Sequence, residues 1–276
     1  MAKTPPDLSD VTLRLERAKE HIETVRCKTK TFLEREPKPL DFRTEKTPGP
    51  DKAIHYVLYA VVRKEPPRSL GAPVGDTIQN IRNALDYLIY EWSLPKYRRR
   101  GRTGFPIYDD HCFFEVEGRP LIRGITGDEL AFIEHHQPYK RTNPPSNDPL
   151  SVLRRLSNKD KHRLLLTVGA AVSDSDSWIS STNANIKLTG YNPGPVKHDA
   201  EILSFTARPK DPSEEMYVEP QSGLEIQLGE TGLFYPDGAP ITAEITDFLQ
   251  YLWHYVSHSM IDMWFRYGYR PTDSTT

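Results

Sequence analysis

The sequence predicts an α+β chain in which a bundle of long helices packs with a mostly antiparallel sheet, and three observations predict it. Apolar residues recur at helical spacing in three stretches far apart, near residues 8–35, 74–93 and 241–268. Between 164 and 228 the pattern turns into short β-branched and aromatic runs divided by Gly, Pro, Asn and Asp, as strands joined by turns require. Hydrophobic residues are 37% of the 276 residues and charged residues 27%, enough apolar side chain for a packed core. The expected organisation is one domain over 1–276, its helical part about 8–160 and 241–268 and its sheet-rich part about 164–228.

In chain order, the first helix carries Val11, Leu13, Leu15, Ala18, Ile22, Val25 and Phe32 on one stripe, with Ser9 or Asp10 able to cap it. The Pro-rich stretch 37–50 breaks it. Ile54–Arg63 reads as a strand and Pro66-Pro67 closes it. A second helix follows, with Ile78, Ile81, Leu85, Leu88 and Trp92 on its apolar face. Lys96–Arg102 is a basic loop, Phe105–Tyr108 a short extended piece and Thr126–His136 a short capped helix. Asp148 and Pro149 fit the N-cap and first position of a helix that runs into Asn158–Arg163. Strands are expected at 164–172, 186–189, 202–207, 216–218 and 224–228, and a last helix at 241–268 with Thr242 as its cap. The first and last helices are long and amphipathic, so the central one is expected to pack against both.

The formal net charge of −2 excludes a whole-protein field for polyanions, so any nucleic-acid contact must be a local patch. Cys27 and Cys112 form no CxxC pair, the first residues lack a signal-peptide core, and no uncharged run approaches the roughly 20 residues of a membrane span. A cytoplasmic protein without membrane attachment is expected. The GxxxxGK[ST], GxGxxG and GxSxG signatures are missing, which leaves nucleotide hydrolysis, dinucleotide chemistry and ester hydrolysis without support, and no cofactor is implied.

The central helix is the first candidate site. Asp76, Asn80, Asn83, Asp86, Tyr87 and Tyr90 lie opposite its apolar stripe, with Arg82 between, and short amides, carboxylates and phenols suit hydrogen bonding in a partly dry place. In the functional reading Arg82, Asn83, Asp86 and Tyr87 line a cleft and Arg82 holds a phosphate bidentately. In the plainer reading Asp76 caps the helix and Arg82–Asp86 is a surface i,i+4 pair. The second candidate is Asn158-Lys159-Asp160-Lys161-His162-Arg163. Asp160 could orient His162 for proton transfer while Lys161 and Arg163 neutralise phosphate; alternatively the cluster answers the negative end of a helix. A third cluster, Lys96 to Arg102, includes Arg98, Arg99 and Arg100 and offers an electrostatic hold on a nucleic-acid backbone, or simply a solvated turn. His254, His258 and Asp262 share a helical face, but the third lies about 12 Å from the first along the axis, too far for one ion. Asp109-Asp110-His111-Cys112 has only local spacing in its favour, and no metal is assigned.

Gly75-Asp76 through Leu88, Phe105-Pro106-Ile107, Gln137-Pro138-Tyr139 and Asn158-x-Asp160-Lys161-His162-Arg163 resemble the motifs of a widespread group of uncharacterised bacterial proteins. In that group the helix reads approximately G-D-x-x-H-N-L-R-x-A-L-D-H-L, with a later N-x-D-K-H-R. Arg82-Asn83 also resembles the signature of the HEPN helical-bundle superfamily, many of whose members are metal-independent endoribonucleases with an Arg followed after four to six residues by His. Here Tyr87 stands near the place of that His, and a phenol with a reference pKa near 10 is a poor base. The resemblance implies an RNA-processing protein in which Arg82 stabilises the scissile phosphate and Asn83 positions it, with a homodimer whose two central helices could share a cleft; protons would be handled by Tyr87 or, from the second cluster, by His162. The rival expectation is a non-catalytic module that binds nucleic acid or protein.

Overall fold

The longest apolar stripe of the chain becomes its longest helix. The computed structural model describes residues 6–98, 103–162, 167–192, 196–228 and 244–267. In it α1 spans Ser9–Leu33, and Val11, Leu15, Ala18, Ile22, Val25, Thr29 and Phe32 are buried at alternating spacings of four and three. That spacing keeps one face on the core through every turn. Leu13, expected on this stripe, lies off that repeat and is exposed. Neither Ser9 nor Asp10 caps the helix. Leu8 holds the N-cap position, and the Ser9 amide donates to Asp7.

The Pro-rich stretch after α1 is not merely a breaker. It carries β1, Leu40–Pro48, paired antiparallel with β2, Ile54–Val62. Its prolines obscure a strand that tolerates them, because β1 is at a sheet edge and Pro48 is its last residue. In β2, Tyr56, Leu58 and Ala60 are buried at period two.

Helix α2 spans Gly71–Trp92 and starts a turn earlier than its apolar period indicates. Asp76 is therefore inside the helix and exposed, not its cap. Short helical pieces follow: α3 at Pro95–Arg98, α4 at His111–Phe113, α5 at Asp128–His135 and α6 at Pro138–Arg141. Residues 103–108 cross between them without regular structure. Helix α7, Pro149–Asp160, has the expected Asp148 cap, whose carboxylate accepts the Leu150 amide, and the expected Pro149 at its first position.

Among the described residues two sheets form, not one. The four-stranded antiparallel sheet has the order β1-β2-β5-β4, with β4 at Ala184–Tyr191 and β5 at Glu201–Pro209. A separate pair joins β3, Thr167–Thr182, to β6, Tyr217–Leu228. The sheet-forming residues thus include 40–62 as well as the stretch after 164, and Tyr56 stacks on its register partner Phe205 with ring centroids 4.8 Å apart.

The last helical stretch is α8, Ile245–His254, then a π-helical segment, Tyr255–Asp262, then α9, Met263–Tyr267. The expected Thr242 cap lies outside the described residues, and Glu244 caps α8 through the Asp247 amide. As expected, α2 contacts both α1 and α8, and it also contacts α7. The Trp253 indole donates to the Leu15 carbonyl at 2.8 Å and ties α8 to α1. Among the described residues no helix is long and apolar enough to cross a membrane.

Candidate functional site

The polar side of α2 has two edges with different partners. Successive helical residues are about 100° apart, so Gly75, Gln79, Arg82 and Asp86 lie along one line while Asn80 and Tyr87 lie roughly 100° further round. The first line faces α7 and the loop at 103–108. The second faces α1.

On the first line, Gly75 makes room. A Cβ there would come within 2.0 Å of an Asp160 carboxylate oxygen, so glycine leaves the space this carboxylate fills. One turn on, the Gln79 amide donates to the Ser157 carbonyl at 2.8 Å and to Asp160 at 3.2 Å, and its oxygen accepts from the Ser157 hydroxyl. Asp160 is thereby committed to α2 and does not orient His162. Burial raises its pKa, Gln79 opposes the rise and Asp76 adds to it.

Further along, Arg82 and Asp86 together grip one backbone residue. Arg82 Nη2 donates to the Phe105 carbonyl at 2.7 Å, Asp86 accepts the Phe105 amide at 2.8 Å, and the two side chains pair at 2.8 Å. The pair is mostly enclosed, with 18% and 32% of the two side chains exposed. Burial raises the Asp86 pKa, with Arg82, the Phe105 amide and Lys161 pulling the other way. Gln137 completes the hold on this loop. Fully buried, it donates to the carbonyls of Pro106 and Ile133 and accepts the Tyr108 amide. The segments at 75–88, 105–107, 137 and 158–161, distant in sequence, thus meet around one strip of backbone.

Beside this strip is a polar cleft of about 300 Å³. Arg82 and Asp86 line it from α2, Phe105 to Tyr108 from the loop, Glu117 and Leu121 from the following turns, and Arg154, Ser157, Asn158 and Lys161 from α7 and its end. Arg154 pairs with Asp109 at 2.8 Å. Two guanidinium nitrogens of the lining, Arg82 Nη1 and Arg154 Nε, are buried without a hydrogen-bond partner among the described residues. A buried donor left unmade costs about 1–3 kcal/mol, so such a pair needs a reason.

The structure separates the four residues of the expected catalytic set. Tyr87 turns to α1, where its hydroxyl accepts from Arg14 at 2.9 Å and its ring lies under the same guanidinium. Asn80 accepts from Arg14 and donates to the Asp76 carbonyl. Asn83 lies half-buried between the two edges. His162 is exposed in the turn after α7, and its backbone amide donates to Lys159; it does not line the cleft. Of the expected binding residues, Asp86 and Lys161 line the cleft, while Asp76 and Asn80 stand away from it. Arg163, Arg99 and Arg100 lie outside the described residues. Arg98 is no free cation, since it donates to the carbonyls of Ser93 and Glu91 and covers the Tyr90 ring.

Asp110 caps α4 by accepting the Cys112 and Phe113 amides, and Asp109 serves Ser151 and Arg154. The rings of His254 and His258 lie 4.9 Å apart, and no group of three metal-ligating side chains occurs among the described residues. Sequence reasoning missed Gln79, Tyr108, Glu117, Gln137 and Arg154. Two of them carried a signal: Gln79 through the spacing of four, three and four that puts it in line with Gly75, Arg82 and Asp86, and Gln137 through the Gln137-Pro138-Tyr139 motif.

No family model, no curated protein and no solved structure matches this chain.

Proposed function

We propose that this protein is an RNA-binding module of HEPN-like build, with α1, α2 and α8 as its helical bundle, that holds phosphate in the cleft between α2 and α7 without cleaving the strand. Three cations on one small cleft, Arg82, Arg154 and Lys161, carry this reading, with Arg82 Nη1 and Arg154 Nε buried without a partner among the described residues. Charge-assisted bonds to an anion are the interaction such donors lack. The two residues that would move protons argue against turnover, since Tyr87 is occupied by Arg14 and His162 stands outside the cleft. Where two copies associate, the strip of Asp76, Asn83 and Tyr90 is the part of α2 left for a partner.

Fluorescence anisotropy of a labelled single-stranded RNA in EDTA, with the RNA afterwards run on a gel, tests this. Binding that weakens with salt and leaves the RNA intact is expected, with the slope of log affinity against log salt falling by about 0.7 in Lys161→Ala. Absence of binding overturns the proposal. A second reading, metal-independent cleavage, is favoured by the mostly enclosed Asp86 carboxyl beside Arg82, and cleavage that Arg82→Lys abolishes would establish it.

A further inference from the structure

We infer that the cleft is built for a phosphate monoester, the terminal phosphate of a nucleotide or of an RNA end, and not for a strand running through it. This deepens the reading above and rests on its first half, that the cleft takes phosphate.

Three features of the cleft point to an end group. Its size is the first. About 300 Å³ is at the lower limit of ligand pockets, room for one phosphorylated nucleoside. Charge is the second. Arg82, Arg154 and Lys161 come from two elements onto one small volume, and Asp86 and Asp109 each neutralise part of one guanidinium. Lys161 forms no ion pair with a described residue, and Arg82 Nη1 and Arg154 Nε are buried without a hydrogen-bond partner among the described residues. A monoester approaches charge −2 near neutral pH and offers three oxygens, matching three cationic side chains better than a diester with one charge and two. The third feature is Glu117. An exposed carboxylate on the lining opposes a second phosphate beside the first, but accepts hydrogen bonds from ribose hydroxyls. A lining of three cations and two carboxylates, one of them paired with Arg82, suits one phosphate attached to a sugar.

The loop at 105–108 adds preorganisation. Phe105 is held by Arg82 and Asp86, and the residues after it by Gln137, so that wall is fixed before a ligand arrives. Fixed donors lose little entropy on binding.

The test compares four ligands on the full chain: one RNA with a 5′-phosphate, the same RNA with a 3′-phosphate, the same RNA with hydroxyls at both ends, and adenosine monophosphate. Affinity for at least one phosphate-ended RNA about tenfold above the hydroxyl-ended RNA is expected, a difference that shrinks in Lys161→Ala. Competition by adenosine monophosphate identifies the free nucleotide as a source. Equal affinity for all three RNAs overturns this inference and leaves the RNA-binding reading intact. Binding of adenosine monophosphate with no RNA binding does the reverse. Binding of none overturns both.

Discussion

Gly75 of α2 and Asp160 of α7 occupy the same space, the glycine supplying the hollow and the carboxylate filling it. A Cβ on residue 75 would stand 2.0 Å from Asp160 Oδ1. Gly75→Ala must push the Asp160 carboxylate off Gln79, and a net loss of about 0.5–2 kcal/mol is expected despite alanine's better helix propensity. In an Asp160→Ala background the same substitution should instead stabilise, by up to about 1 kcal/mol. Thermal unfolding of the four proteins measures the change of sign, and a loss of equal size in both backgrounds would remove the contact as its cause.

Gln137 is the structural hold on the loop that forms one wall of the cleft. Gln137→Leu keeps the volume and leaves the Pro106 and Ile133 carbonyls and the Tyr108 amide unpaired. An expected cost of about 2–4 kcal/mol follows from burying those groups without partners. Urea unfolding checks it, and ligand affinity should fall together with stability because the wall loses its fixed position.

Tyr87 behaves differently. Tyr87→Phe removes the acceptor for Arg14 and keeps the ring beneath the guanidinium. A loss of about 0.5–1.5 kcal/mol in stability is expected, with RNA affinity unchanged. A change in RNA binding at constant stability would return Tyr87 to the functional site.

His136 gives the chain an acid limit. Burial lowers its pKa to about 3, while Nδ1 stays bonded to the Phe132 carbonyl at 2.8 Å. The folded imidazole remains neutral where the unfolded one, with its ordinary value of 6.5, takes up a proton. Stability should therefore fall as pH drops from about 6.5 toward 3, with a contribution approaching about 1.4 kcal/mol per pH unit in that window. In His136→Phe, whose side chain does not titrate, the pH dependence of unfolding between those limits should flatten. An unchanged slope would exclude His136.

The helices were legible because burial imposes a period. The stripes of α1 and α2 and the Asp148-Pro149 start of α7 need only local geometry. Strand β1 was not legible, because the prolines around it and its charges fit an edge and a sequence does not announce which strand will be at one. The long last helix was half legible. Its apolar residues are present, but the π-helical turn at Tyr255–Asp262 shifts the period partway along.

By itself, the sequence determined which residues of α2 are polar and that Arg82 and Asp86 can pair, since both follow from helical pitch. Tertiary structure decided what that pair does. Packing against α7 and the 103–108 loop turned it onto the Phe105 backbone, and packing against α1 drew Tyr87 to Arg14. Neighbours in three dimensions divide a single polar face, because each hydrogen-bonding group goes to the partner that burial leaves within reach.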